Sequence, residues 1–210
     1  MRPIAALILC LAGSALAQGP ANLGIFEGAS DVGNPSHKGS VAFDAATKEY
    51  KVIGGGNNMW AAKDDFYFVW KQMSGDISIT ANMKIVSEGA AHRKAGLMIR
   101  KTLDTGSPYA DIIVHGVGLT GIQWREKADD ITRGVHFPIE SPTRIRIVRK
   151  RGTVTVWVGK EGVPFQEAAS LEFNSLGNPV YVGMAVCPHD DKAETTVVFS
   201  DVTIEKPAAQ

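Results

Sequence analysis

The chain has 210 residues, with 22 basic and 22 acidic side chains and no formal net charge at pH 7. Such a balance leaves no electrostatic footprint for nucleic acid or for an anionic membrane surface. It also has two cysteines, too few for a disulfide framework.

Residues 1–17 read as a secretory signal: Arg2 supplies the positive start, an apolar run follows from Ile4 to Leu11, and Ala15-Leu16-Ala17 is the small-x-small cleavage site. The apolar run is too short to span a bilayer, and no later stretch approaches that length. The expectation is Sec-type export to the periplasm or the exterior. Leu9 stands before Cys10 where lipid attachment expects a small residue, so a lipoprotein is disfavoured. Cleavage would remove Arg2 and Cys10, leaving a mature chain from Gln18 with net charge −1 and Cys187 as its single cysteine. An intramolecular disulfide is then excluded, and stability rests on the core.

Residues 18–38 form the N-terminal segment of the domain, residues 39–205 its body, and residues 206–210 a frayed tail. Almost no segment keeps a helical period, whereas alternating segments bounded by Gly, Pro, Asn and Asp recur throughout. The pattern predicts an all-β chain with strands at 39–44, 49–53, 66–73, 76–85, 95–101, 109–115, 121–126, 144–150, 153–158, 180–187 and 195–204. Residues 54–65, 88–94 and 127–141 read as long irregular loops. The cleanest amphipathic strand places Ile77, Ile79, Ala81, Met83 and Ile85 on one face and Ser78, Thr80, Asn82 and Lys84 on the other. Burial on one side only is what two antiparallel sheets packed face to face require.

The centre of the chain carries three consecutive strands. Ala95, Leu97, Ile99, Ala110, Ile112, Val114, Ile122 and Trp124 share the apolar phase; Arg100, Tyr109, Asp111, His115, Gln123 and Arg125 share the opposite one. Symmetric hairpins would set Arg100 opposite Tyr109 and Asp111 opposite Arg125, with Arg100 on the diagonal. Asp111 would then sit between two guanidinium groups in a polar patch. Such a patch can exchange hydrogen bonds with sugar hydroxyls, with Tyr109 as a stacking ring, or it is an ion-pair ladder on a half-buried face.

Trp60, after a run of glycines and asparagines, is the most ligand-like of the four tryptophans, placed on a loop at the mouth of the sheet. Trp124 is in phase with the core, and Arg146 is expected opposite Trp157 as a cation-aromatic pair. Cys187 falls in a strand pattern as a small core residue. The five histidines, His37, His92, His115, His136 and His189, are dispersed with no zinc spacing, so no cofactor is expected. His189-Asp190-Asp191 and Asn57-Asn58 are oxygen-rich turns that offer only a weak calcium reading.

The blocks DDFYFVWKQMSGDISITANM, HRKAGLMIRKT, SPYADIIVHGVGLTGIQWRE, RIRIVRKRGTVTVWVGKEGVPF and YVGMAVCPHDDKAETTVVFSDVTIE resemble bacterial secreted domains of the concanavalin A-like lectin/glucanase superfamily, in the branch labelled regulation-of-enolase-like. The resemblance covers residues 39–205. It implies a jelly-roll sandwich of two curved antiparallel sheets, whose concave sheet in many relatives binds or cleaves carbohydrate. Calcium occurs in the superfamily as well.

Three readings of function follow. The first is an exported carbohydrate- or glycan-binding module without catalysis, its ligand on the patch Arg100, Tyr109, Asp111, His115, Gln123 and Arg125 with Trp60 beside it. The second is a glycoside hydrolase or related sugar-cleaving enzyme using Asp111. Glycoside hydrolysis normally needs two carboxylates, and a Glu-x-Asp-x-Glu strand pattern is absent, so Glu88, Asp129 or Asp130 would have to complete the pair. The third is a structural or protein-interaction domain in which the patch is a solvated face. Nothing in the sequence reports oligomeric state.

Overall fold

The computed structural model describes residues 22–207, and the signal segment 1–17 lies outside them. Fifteen strands run in chain order: β1 (Gly28–Val32), β2 (Ser40–Asp44), β3 (Glu49–Gly54), β4 (Asn58–Trp60), β5 (Lys63–Met73), β6 (Ile77–Ile85), β7 (Lys94–Arg100), β8 (Tyr109–His115), β9 (Thr120–Arg125), β10 (Arg133–Phe137), β11 (Arg144–Lys150), β12 (Thr153–Gly159), β13 (Gln166–Glu172), β14 (Val180–Cys187) and β15 (Thr195–Glu205). They form two sheets. The first has the order β1-β5-β14-β7-β8-β9-β10, with β4 also paired to β5; the second has the order β13-β12-β11-β6-β15-β3-β2. All of the pairings are antiparallel.

The apolar phases read from the sequence meet between the sheets. Leu97, Ile99, Ala110, Ile112, Val114 and Ile122 from the first sheet pack in one cluster with Ile77, Ile79, Ala81, Met83, Val154, Val156 and Val158 from the second. Trp124 packs against the same cluster while partly exposed. Strands β1, β4, β10 and β13 have no counterpart among the expected segments. Their sequences, GASDV, NMW, RGVHF and QEAASLE, carry too few apolar residues to announce a strand, although Val32, Met59 and Phe137 are buried in the apolar clusters.

The outer face of the first sheet departs most from expectation. Every residue of β7 and β8 is buried, on both faces, where alternation predicted one open side. A second apolar cluster explains this: Met59 of β4 packs there with Val32, Phe66, Phe68, Met98, Tyr109, Ile113, Ala185 and Cys187. The segment read as an irregular loop is therefore a cover. Cys187 is buried as expected, but in this second cluster, with Sγ 3.5 Å from both Gly56 O and Asp65 O. Burial pushes its thiol up to about 12, so it stays protonated and unreactive.

On the second sheet Arg146 lies across from Trp157, as the hairpin predicted. Its guanidinium, however, stacks on Phe165 at 4.4 Å, with Arg144 on the same ring at 4.5 Å. The expected cation-aromatic partner is corrected accordingly: the chain after β12 brings a ring within reach of both arginines.

Candidate functional site

The six residues singled out in β7, β8 and β9 do share the outer face of the first sheet, but its two ends differ in character. At one end Arg100, Tyr109 and Arg125 are sealed. Tyr109 pairs with both arginines, Arg100 on β7 and Arg125 on β9. Asp111 instead faces Met98 and Gln123, so the expected Asp111–Arg125 pair does not form. Hairpin asymmetry is the reason: the β8–β9 connection pairs Val114 with Thr120 and shifts the register by two residues relative to a loop centred on 116–120.

The carboxylate between the guanidiniums is Asp64, contributed by β5. Arg125 grips it with two parallel bonds, Nη2 to Oδ1 at 2.7 Å and Nη1 to Oδ2 at 2.9 Å, while Arg100 Nη2 reaches Oδ2 at 3.4 Å. All three side chains are inaccessible to solvent. Burial raises the Asp64 carboxyl against the pull of both arginines, and Asp64 in turn raises Arg125. The forked contact is the geometry of an ionised carboxylate, and that state fits the surroundings best.

The same arginines knit three loops over this end. Arg125 donates to the carbonyls of Ala61, Thr105, Ser107 and Asp130 and to Thr132 Oγ1. Arg100 donates to the carbonyls of Thr102 and Asp104. Tyr109 Oη donates to Met59 O at 3.2 Å, and its ring lies 5.0 Å from the Arg125 guanidinium. This end is a structural clamp.

The other end opens into a cleft of about 240 Å³ lined by Asn58, Trp60, His92, Lys94, His115, Leu119, Gln123, His136 and His189. Of the predicted ligand-binding set, His115, Gln123 and Trp60 reach it; Asp111 is buried, and Arg100, Tyr109 and Arg125 belong to the clamp. The histidines that look dispersed in sequence gather here, because β8, β10 and the segments before β7 and after β14 end on this side. Ring centroids are 5.5 Å apart for His92 and His115, 5.7 Å for His92 and His189, and 6.0 Å for His115 and His136. Among the described residues no group of three or more donors is placed to hold a metal ion. In the turn read for calcium, Asp191 accepts two bonds from Ser36 and Asp190 caps the backbone N–H of Lys192.

Trp60 has about 38% of its surface exposed and lies over Gly134 of β10, where a Cβ would come within 3.2 Å of the indole. Lys94 Nζ donates to Asn58 Oδ1 at 2.9 Å. Burial lowers Lys94 and drives Asp111 well above the usual carboxylate range, although each charge favours the other. Asp111 Oδ1 accepts the backbone N–H of Gln123 at 3.2 Å, whereas Asp111 Oδ2 and Gln123 Oε1 are buried without a protein partner. Lys94, Asp64 and three of the cleft histidines were not selected from sequence. For Lys94 the signal was available, since it continues the Gly96, Met98, Arg100 phase; the histidines come from four separate segments.

His115 Nδ1 lies 2.9 Å from Leu119 O. A carbonyl can only accept, so Nδ1 carries the proton and Nε2 keeps its lone pair. Burial lowers His115 to about 4, with Lys94, His92 and His136 acting in the same direction. Nitrogen-detected NMR should therefore show the neutral Nδ1–H tautomer persisting to about pH 5. The folded pKa lies below the unfolded one, so the unfolded chain takes up the proton first, and His115 costs stability as pH falls from about 6.5 toward about 4. Because solvent reaches the cleft side of the ring, the cost should be about 1–2 kcal/mol, read as the difference in pH-dependent stability between wild type and His115→Gln.

No protein-family model and no curated protein sequence matches the chain. Solved structures do. A functionally unknown protein from Saccharomyces cerevisiae superposes with a TM-score of 0.67 at 13% identity, over 86% of this chain and 97% of that one. The carbohydrate-binding module CBM66 from Bacillus subtilis gives 0.56 at 12% identity, over 87% and 98%. The fold is a jelly-roll sandwich. A family 7 alginate lyase, A1-II′, shares it with a TM-score of 0.54 at 10% identity, over 80% and 83%. GH43 proteins share it too, and this chain spans 39% of the one from Bacillus licheniformis. At these identities the likeness concerns the fold alone.

Proposed function

We propose that this protein is an exported glycan-binding domain whose ligand occupies the histidine-lined cleft. The observation that carries the reading is an exposed indole, Trp60, beside a buried amide oxygen, Gln123 Oε1, that has no protein partner, both on one cleft. A sugar presents an apolar ring face for the indole and hydroxyls for the unpaired oxygen, so one ligand satisfies both groups. The lining contains no aspartate or glutamate, and Glu88, Asp129 and Asp130 are not part of it. Asp111 is sealed beneath it. Binding without glycoside hydrolysis by a carboxylate pair therefore fits this cleft better than the two-carboxylate mechanism does. The five sequence blocks support a place among the regulation-of-enolase-like secreted domains, and the segment 1–17 supports export.

The test is a glycan array probed with the mature domain, followed by calorimetry on any hit. Trp60→Ala and Gln123→Leu should each weaken binding about ten-fold or more while leaving the thermal midpoint within a few degrees of wild type. Undiminished affinity in both variants would remove the cleft from consideration.

A further inference from the structure

Resting on the glycan reading, we infer that the ligand class is an acidic oligosaccharide, one carrying carboxylate or sulfate groups, with an anionic substituent seated among Lys94, His92 and His136. Two observations carry this.

The first is the composition of the cleft wall. Its ionisable members are Lys94, His92, His115, His136 and His189, all bases, and the uncharged polar members are Asn58 and Gln123. Acids near the rim are turned elsewhere. Asp191 is bound by Ser36, Asp190 caps its own turn, and Asp65 Oδ2 accepts the backbone N–H of Asn57. His37, outside the cleft, pairs with Glu194 at 3.5 Å. An anion entering from solvent therefore meets histidine rings and the Lys94 side chain, with no carboxylate on the lining to repel it.

The second is the lysine in the cleft wall. Lys94 is buried in this wall, whereas Arg100, Arg125 and Asp64 belong to the clamp at the other end of the face. Lys94 Nζ spends one hydrogen on Asn58 Oδ1, and a protonated Lys94 has two more for an anionic ligand, whose charge in turn favours that protonated state.

His92 and His136 are exposed, so exchanging them does not disturb the core. The experiment measures binding of the mature domain to three sets of oligosaccharides of equal length: oligouronates, sulfated oligosaccharides and neutral oligosaccharides. It is repeated with His92→Glu and His136→Glu, each checked by thermal melting. The expected result is binding of at least one acidic set about ten-fold or more tighter than the neutral set, weakening as sodium chloride is raised. Each glutamate variant should lose a further ten-fold for the acidic set and little for the neutral set. Equal or tighter binding of neutral oligosaccharides, still lost in Trp60→Ala, would overturn the acidic class and leave the glycan reading standing. Absence of binding to all three sets, or binding indifferent to Trp60→Ala, would overturn both.

Discussion

Replacing Asp64 with alanine is expected to destabilise the domain by about 3–5 kcal/mol, the cost of breaking a buried ion pair from one side. Arg100 and Arg125 both lie at 0% side-chain exposure, and without Asp64 their like charges would face each other with no anion between them. The arginines have no escape to solvent, since their remaining donors are committed to carbonyls of three loops. Replacing the triad wholesale with apolar residues, often tolerated elsewhere, is not expected to be neutral here. The carbonyls of Ser107 and Asp130 would lose their donors, at about 1–3 kcal/mol for each one left buried, whereas those of Ala61 and Thr105 keep the backbone N–H of Thr132 and Asp64. Urea denaturation followed by tryptophan fluorescence gives the number. A loss below about 1 kcal/mol for Asp64→Ala, the scale of an exposed pair, would mean that the clamp is not what holds the loops.

Gly96→Ala should cost about 3 kcal/mol or more, a severe case of overpacking. Gly96 sits in β7 between β14 and β8, and a Cβ there would lie 1.8 Å from Ile112 O and 2.9 Å from Ile113 Cδ1. The oxygen belongs to the backbone of a central strand and cannot rotate aside, so the β7–β8 pairing itself must spread. Differential scanning calorimetry should show the midpoint falling by about 6–12 °C, given roughly 2–4 °C per kcal/mol at this chain length. Alanine at position 96 with an unchanged midpoint would show that the sheet is looser than its packing implies.

How much of this could be read from the chain depends on which force fixes each feature. The core strands were legible because burial between two sheets imposes a period of two, and Ile77, Ile79, Ala81 and Met83 display it without interruption. Strands β10 and β13 were not, because their residues are largely exposed and backbone pairing at the sheet margin leaves no apolar signature. In the site, parity correctly put Arg100, Tyr109, Asp111, His115, Gln123 and Arg125 on one face. It could not show that β4 and the loops near Thr105 and Thr132 would close over half of them. Asp64, from a strand not adjacent to β8 or β9 in the sheet, entered through the loops that bring Asp64 N to Thr105 O at 2.9 Å.

The sequence by itself determined the all-β class, the two apolar phases that become the core, and the single polar phase of β7, β8 and β9. These are local consequences of side-chain alternation along an extended backbone. Tertiary structure alone decided which polar residues would be clamp and which would line a cleft, because that division depends on what covers the sheet. His92, His115, His136 and His189 became neighbours for the same reason: antiparallel order returns the ends of distant strands to one edge, and no spacing along the chain records it.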